Sequence, residues 1–432
     1  MVMTRRLVLI GVALLIATSA WGQPILDYVN RPEPVYAWEK TGEEVMGSVS
    51  VTHLKVTSQQ WQDITWTHRV FLMVPEEMTH PETALLLITG GAPGRDELTM
   101  LSTAATMLSA PMVILGDIPN QPLFDDLTED ALIAFTFSNY LETHDADWPL
   151  LFPMTKAAVK TMDAVEEYTA EQWERPITSF VTTGASKRGW TTWFTGAVVP
   201  ARLKGIAPMV YDNLDLAAQM RQHLVAWGDY SKQINDYTER GLPQMLETAE
   251  GAQLATIVDP YTLRDRITVP KLIITGTNDP YWPLDAANLY WDELPEPKYI
   301  LYVPNSGHGL DDIMRVINAQ VGFFMVCTDR APLPRPNWHF EDRSYLKLHI
   351  QPGPGVDVKR VTQLTAHAPT RDFREATWEE EPAIQRDGGC LCRLLHPDEG
   401  YAAMIGEIVY DLDGQEFPVS TNVRIVSPEG IE

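Results

Sequence analysis

Polar and apolar positions along the chain fall into two regimes. From 84 to about 330, continuous apolar runs at 84–88, 112–115, 177–183, 206–211, 271–275 and 299–303 alternate with segments of helical period. The segment 154–168 sets Met154, Ala158, Met162, Val165 and Tyr168 on one stripe, and 311–324 repeats the pattern through Ile313, Ile317, Val321 and Phe324. Unbroken apolar strands separated by amphipathic helices predict an α/β fold with a doubly wound, mostly parallel sheet covered on both faces. Ahead of them, 48–57 and 64–74 alternate with period two, as antiparallel edge strands do, behind a Pro- and acid-rich lead at 27–44. Two long connections, 117–153 and 213–268, interrupt the rhythm, and the second is helical by pattern and stands where a lid would cover a site. The Pro-rich run Ala331-Pro332-Leu333-Pro334-Arg335-Pro336 marks a boundary. Beyond it 345–350, 360–366, 401–410 and 417–425 are strand-like without helical period, which predicts a small C-terminal β-sandwich over 336–432.

The candidate chemistry lies where these strands end. After the run at 177–181 comes Thr182-Thr183-Gly184-Ala185-Ser186-Lys187-Arg188-Gly189-Trp190, which opens a helix. A serine on a tight strand-to-helix turn presents its Oγ above the sheet, with a helix N-terminus behind it that favours negative charge. Gly184 removes the Cβ that would crowd such a turn, although the second glycine of G-x-S-x-G is replaced by Arg188 and delayed to Gly189. The same residues also suit a plain serine-capped helix, so the partners decide. A nucleophilic serine needs a base, and the base needs an acid to orient it. Asp279 follows the strand 271–275 and His308 follows the strand 299–303, which gives the order Ser, Asp, His at three strand ends. Gly90-Gly91, after the strand 84–88, lets a backbone approach a ligand, so the N–H groups of Gly91 and Lys187 are the candidate oxyanion donors. Trp148, Trp190 and Trp282 are candidates to line a substrate pocket. Lys187 and Arg188 bring positive charge beside the serine or else form a solvated helix face.

The first residues add a location. Arg5 and Arg6, the apolar run 7–17 and Ala20-Trp21-Gly22 read as a secretory signal over 1–22, with an uncleaved N-terminal anchor as the alternative, leaving 23–330 as the main domain. Once the signal is removed no run approaches the ~20 apolar residues of a membrane span. With 33 Lys+Arg against 58 Asp+Glu the net charge is -25, a field that repels nucleic acid. Three cysteines cannot make a disulfide framework; Cys390 or Cys392 could pair with Cys327, leaving a thiol over. No metal set or cofactor motif emerges.

Several phrases together carry a family likeness: Leu87-Ile88-Thr89-Gly90-Gly91, Pro119-Asn120-Gln121-Pro122-Leu123, the run 184–190, Gly276-Thr277-Asn278-Asp279-Pro280-Tyr281-Trp282 and Thr370-Arg371-Asp372-Phe373-Arg374. They resemble the PhoPQ-activated pathogenicity-related protein family from about Leu26 into the C-terminal region. The resemblance implies an α/β-hydrolase fold and an exported, periplasmic or extracellular protein, and it says little about substrate. The spacing of Ser186, Lys187 and Gly189 is also similar to that of glucuronoyl esterases, in which the acid can sit on an earlier strand end. That makes Asp212 or Asp215 the rival to Asp279. The expectation is a serine hydrolase acting on a small-molecule, glycan or peptide ester. Its alternatives are a peptidase or amidase on the same fold, and a non-catalytic extracellular binding or signalling protein that keeps the scaffold.

Overall fold

A computed structural model describes residues 23–386 and 388–431. The signal expected at 1–22 therefore lies outside the described residues. The chain opens with helix α1 (Pro24–Asn30) and strands β1 (Ala37–Met46), β2 (Val49–Trp61) and β3 (Ile64–Pro75). The segment expected as a lead thus forms a helix and the outermost strand. No residue of β1 is fully buried, so its sequence carries no apolar alternation. There follow β4 (Thr83–Ile88), α2 (Arg95–Leu108), β5 (Met112–Leu115), α3 (Glu129–Thr143), α4 (Leu151–Gln172), β6 (Ser179–Ala185), α5 (Lys187–Val198) and β7 (Leu203–Met209). The segment 213–268 contributes α6 (Leu216–Trp227), two short helices α7 (Asn235–Thr238) and α8 (Leu242–Met245), and α9 (Ala249–Val258). The main unit closes with β8 (Lys271–Gly276), β9 (Lys298–Val303) and α10 (Ile313–Cys327).

The sheet runs β1-β2-β3-β5-β4-β6-β7-β8-β9, antiparallel as far as β5 and parallel from β5 to β9. Alternate side chains of its central strands enter opposite layers. Leu86, Ile88 and Phe180 join residues of α4 and α5 in one core, while Leu85 and Val181 join α2 and α10 in the other. That double burial explains why these strands read as continuous apolar runs. The order reverses at β4 and β6, neighbours with β5 on one side and β7 on the other, so a crevice opens at their carboxyl ends. Ile88 pairs in register with Gly184, which brings the loop after β4 beside the turn after β6.

Ten further strands are antiparallel: β10 (Asn337–Asp342), β11 (Tyr345–Gln351), β12 (Asp357–Ala368), β13 (Glu379–Pro382), β14 (Ile384–Arg386), β15 (Gly389–Leu395), β16 (Tyr401–Leu412), β17 (Gln415–Ser420), β18 (Arg424–Ser427) and β19 (Gly430–Ile431). Strands β10-β11-β15-β14 form a separate sheet, whereas β17-β16-β12-β13 continue the large sheet through one pairing, Ser420 with Ile300. The two layers pack so closely that a Cβ on Gly406 would strike Ile350 and Leu348. The single strand expected over 417–425 divides into β17 and β18. Between them the backbone N–H of Thr421 bonds Gly406, and the Asn422 amide bonds Asn288 outside the β region. The three cysteines are buried free thiols, so neither Cys390 nor Cys392 takes the possible pairing with Cys327. Among the described residues no helix is long and apolar enough to cross a membrane.

Candidate active site

Ser186 sits between β6 and α5 with φ 59° and ψ -126°, a conformation L-residues rarely adopt and one costing about 1–3 kcal/mol. Its neighbours hold it there. The Ser186 N–H donates to Met209 O at 2.9 Å, and its carbonyl accepts from Trp190 N–H at 3.0 Å. A Cβ on Gly184 would lie 2.8 Å from the Arg188 carbonyl oxygen, and one on Gly189 would lie 2.7 Å from Met209 O. The delayed glycine thus serves contact with the next strand, and position 188 is free to carry a long side chain.

That side chain does structural work. Arg188 Nε donates to Ile118 O at 2.6 Å and its terminal nitrogens grip both oxygens of Glu129 at 2.8 and 2.6 Å. The guanidinium occupies the space a Cβ of Gly90 would need. Lys187 Nζ pairs with Glu129 at 2.9 Å and Asp130 at 3.0 Å, and Tyr237 donates its hydroxyl to Asp130. Burial raises the Glu129 carboxyl, but Arg188 and Lys187 overcome it and carry the group down to about 2. Both cations are buried and compensated, so they are neither a solvated face nor uncompensated charge beside the serine. Nothing in the chain's many acidic residues marks Glu129 and Asp130 as these partners, because they meet Lys187 and Arg188 only through tertiary folding.

The three residues at the strand ends come together. His308 Nε2 lies 3.0 Å from Ser186 Oγ, and His308 Nδ1 lies 2.8 Å from Asp279 Oδ2. An ionised carboxylate only accepts, so the imidazole proton facing it sits on Nδ1 and leaves Nε2 to accept from the serine. The other Asp279 oxygen accepts from Tyr281 N–H at 2.8 Å, and the Tyr281 ring stacks on His308 with centroids 4.1 Å apart. Gly276 has no room for a side chain because Ser306 and Gly307 carbonyls press against it, which fixes the histidine loop over the end of β8. A segment the sequence does not mark as part of the site braces both loops. The Asn278 amide donates to the carbonyls of Phe373, Arg374 and Ala376, and Asn305 exchanges two hydrogen bonds with the Trp378 backbone.

The rival acids are elsewhere. Asp212 accepts from the Tyr290 hydroxyl at 2.6 Å, and Asp215 caps α6 by accepting from Ala218 N–H. Asp212 is fully buried, and burial together with the nearby Asp279 and Asp285 charges raises it to about 7 against the pull of its Tyr290 bond. Lys187 begins α5, where backbone N–H groups lack helical partners. Gly91 follows Ile88 and Thr89 on the adjoining strand end, with the Thr89 hydroxyl bonded to its carbonyl.

Beside Ser186 opens a cleft of about 740 Å³ of empty space, part of it open to solvent. Trp190 and Trp282 line it, their indole N–H groups bonded to Val258 O and Val210 O. Trp148 does not line it: it packs with Trp61, Phe124 and Phe135 in a separate aromatic cluster that anchors the 117–153 connection. For a cation, the described residues offer His339, Glu341 and His349 on β10 and β11, with ligand atoms within 4.8 Å of one another. Lys347 already stands 3.5 Å from that carboxylate.

Strand order, elbow and chain order of the three residues define an α/β-hydrolase. Residues 25–374 match the model of the PhoPQ-activated pathogenicity-related protein family, and the chain belongs to it. It is 31% identical over 449 positions to autocrine proliferation repressor protein A of Dictyostelium discoideum, an alignment covering 93% of this chain and 89% of that protein. Similar solved structures include acetyl xylan esterase 1 from Thermoanaerobacterium sp. at 16% identity, over 68% of this chain and 90% of the other with TM-score 0.47. Another is a glucuronoyl esterase from Solibacter usitatus at 12% identity, over 70% of this chain and 91% of the other with TM-score 0.40.

Proposed function

We propose that the protein is an exported serine hydrolase, periplasmic or extracellular, that cleaves carboxylic esters. The observation that carries the reading is the unbroken hydrogen-bonded path from Ser186 Oγ through His308 to Asp279 at the mouth of a cleft. In this reading Asp279 holds the imidazole tautomer. Nε2 takes the hydroxyl proton as Oγ attacks the carbonyl carbon, and the N–H groups of Lys187 and Gly91 stabilise the oxyanion. Collapse breaks the bond to the alkoxy oxygen, which leaves with the proton from Nε2. Water, deprotonated by Nε2, then releases the acid and restores the serine. An ester is favoured over an amide because an alkoxide leaves with less help than an amine. Segments 117–153 and 213–268 form the cover of the site, and 336–432 a β-sandwich module.

Fluorophosphonate labelling of the mature protein tests this directly. Label on the wild type and none on Ser186→Ala is expected, and a wild type that neither labels nor turns over any ester ends the proposal. One observation favours a second reading, a non-catalytic extracellular signal on this scaffold: the name of the Dictyostelium relative. A biological effect that survives Ser186→Ala selects it.

A further inference from the structure

The cleft beside Ser186 has an uneven chemistry. Its far wall comes from the 213–268 segment and is aliphatic: Leu216, Met220, Ile234, Leu242, Leu254 and Val258 face it. Its floor is the Trp190 ring, stacked on Tyr211 with centroids 4.8 Å apart and met edge-on by Phe137. The charged groups of the lining, Asp130 and Lys187, neutralise each other at 3.0 Å, and Tyr237 uses its hydroxyl on Asp130. The remaining polar groups of the lining are few: Ser186 itself, the Tyr281 hydroxyl, and the buried side chains of Tyr211 and Asn213, which interact with each other. A sugar needs many donors and acceptors, and a uronate carboxylate needs an uncompensated cation. This lining supplies neither, whereas burial of a methylene against such a wall is favourable by about fourfold in affinity.

We infer that this cleft takes the apolar side group of the substrate, so that the ester is one with a neutral aliphatic or aromatic chain and not a glycan acetate or uronate ester. The inference rests on the reading of Ser186 as nucleophile for its position and on the lining for its chemistry. The chain lies between the Trp190 ring and the aliphatic wall.

Two ester series separate the sources of the chain: p-nitrophenyl esters from acetate to decanoate vary the acyl group, and n-alkyl acetates from methyl to octyl vary the alcohol. A rise in kcat/KM of about fourfold per methylene over the first several carbons is expected in one series, and that series names the group held in the cleft. Leu254→Trp fills the wall and is expected to lower the long-to-short ratio at least tenfold, and Met220→Ala, which enlarges it, moves the optimum to longer chains. Binding of hexanamide and octanamide to Ser186→Ala, followed by calorimetry, tests the cleft without turnover, and octanamide is expected to bind more than tenfold tighter. Acetate turnover with a flat or falling length profile in both series, or equal binding of the two amides, overturns this inference and leaves the hydrolase. Absence of labelling and of all turnover, with octanamide still preferred, overturns the hydrolase reading and leaves the cleft.

Discussion

Asp279→Asn is the most searching perturbation of the site, because the surrounding bonds dictate which way the new amide must face. One oxygen of Asp279 accepts from Tyr281 N–H and the other from His308 Nδ1, each at 2.8 Å. An asparagine that keeps its oxygen on Tyr281 turns its NH2 toward His308. The ring then accepts at Nδ1 and carries its proton on Nε2, where it faces Ser186 as a donor and cannot take the hydroxyl proton. The opposite flip sets NH2 against the Tyr281 N–H and leaves a buried donor unpaired, at about 1–3 kcal/mol. Either way the competent tautomer is disfavoured, and loss of the correct tautomer in such triads lowers turnover by roughly 10⁴, or about 5 kcal/mol of transition-state stabilisation. The assay is kcat/KM on the best p-nitrophenyl ester, with thermal melts to show that the fold is retained, beside Asp212→Asn and Asp215→Asn as controls. A variant at 279 within tenfold of wild type, with activity lost instead at 212, would refute the tautomer argument and transfer the role of acid.

Asp212, Asp259 and Glu407 are buried acids, each raised to about 7 chiefly by burial. The folded state keeps their protons where the unfolded chain has lost them, so their contribution to stability falls as pH rises from about 4 to 7. Asp212→Asn retains an acceptor for Tyr290 and is expected to raise the melting temperature at pH 8 more than at pH 4; an equal shift at both refutes the assignment. Gly184→Ala sets a methyl 2.8 Å from a backbone oxygen that cannot yield, so a stability loss of about 1–3 kcal/mol in urea melts and at least a hundredfold loss of turnover are expected. A thiol reagent should find no fast-reacting group in the native protein and three once it is denatured without reductant; fewer than three reveals a disulfide.

The sequence made the scaffold legible wherever burial was two-sided. Strands such as β4 and β6 have both faces covered, so their apolar runs survive any uncertainty about partners. Ser186, Asp279 and His308 were readable because each stands just past such a run with glycine nearby, and because the order of their types along the chain is restrictive. Side chains whose meaning depends on a distant partner were not. Lys187 and Arg188 look like surface cations until Glu129 and Asp130 arrive, and Trp148 is indistinguishable from Trp190 by composition although they join different clusters. Strand β1, nowhere fully buried, left no periodic trace, and one pairing at Ser420 joins two regions that composition separates.

The brace at 373–378 puts an order on the life of the polypeptide. A ribosome that has released only the first 370 residues has already made serine, imidazole and carboxylate, yet Asn278 and Asn305 still lack the backbone that pins their loops. If these three residues do the proposed chemistry, competence is acquired only after the 373–378 segment has docked, and a product cut before it is expected to carry all three groups and remain inert.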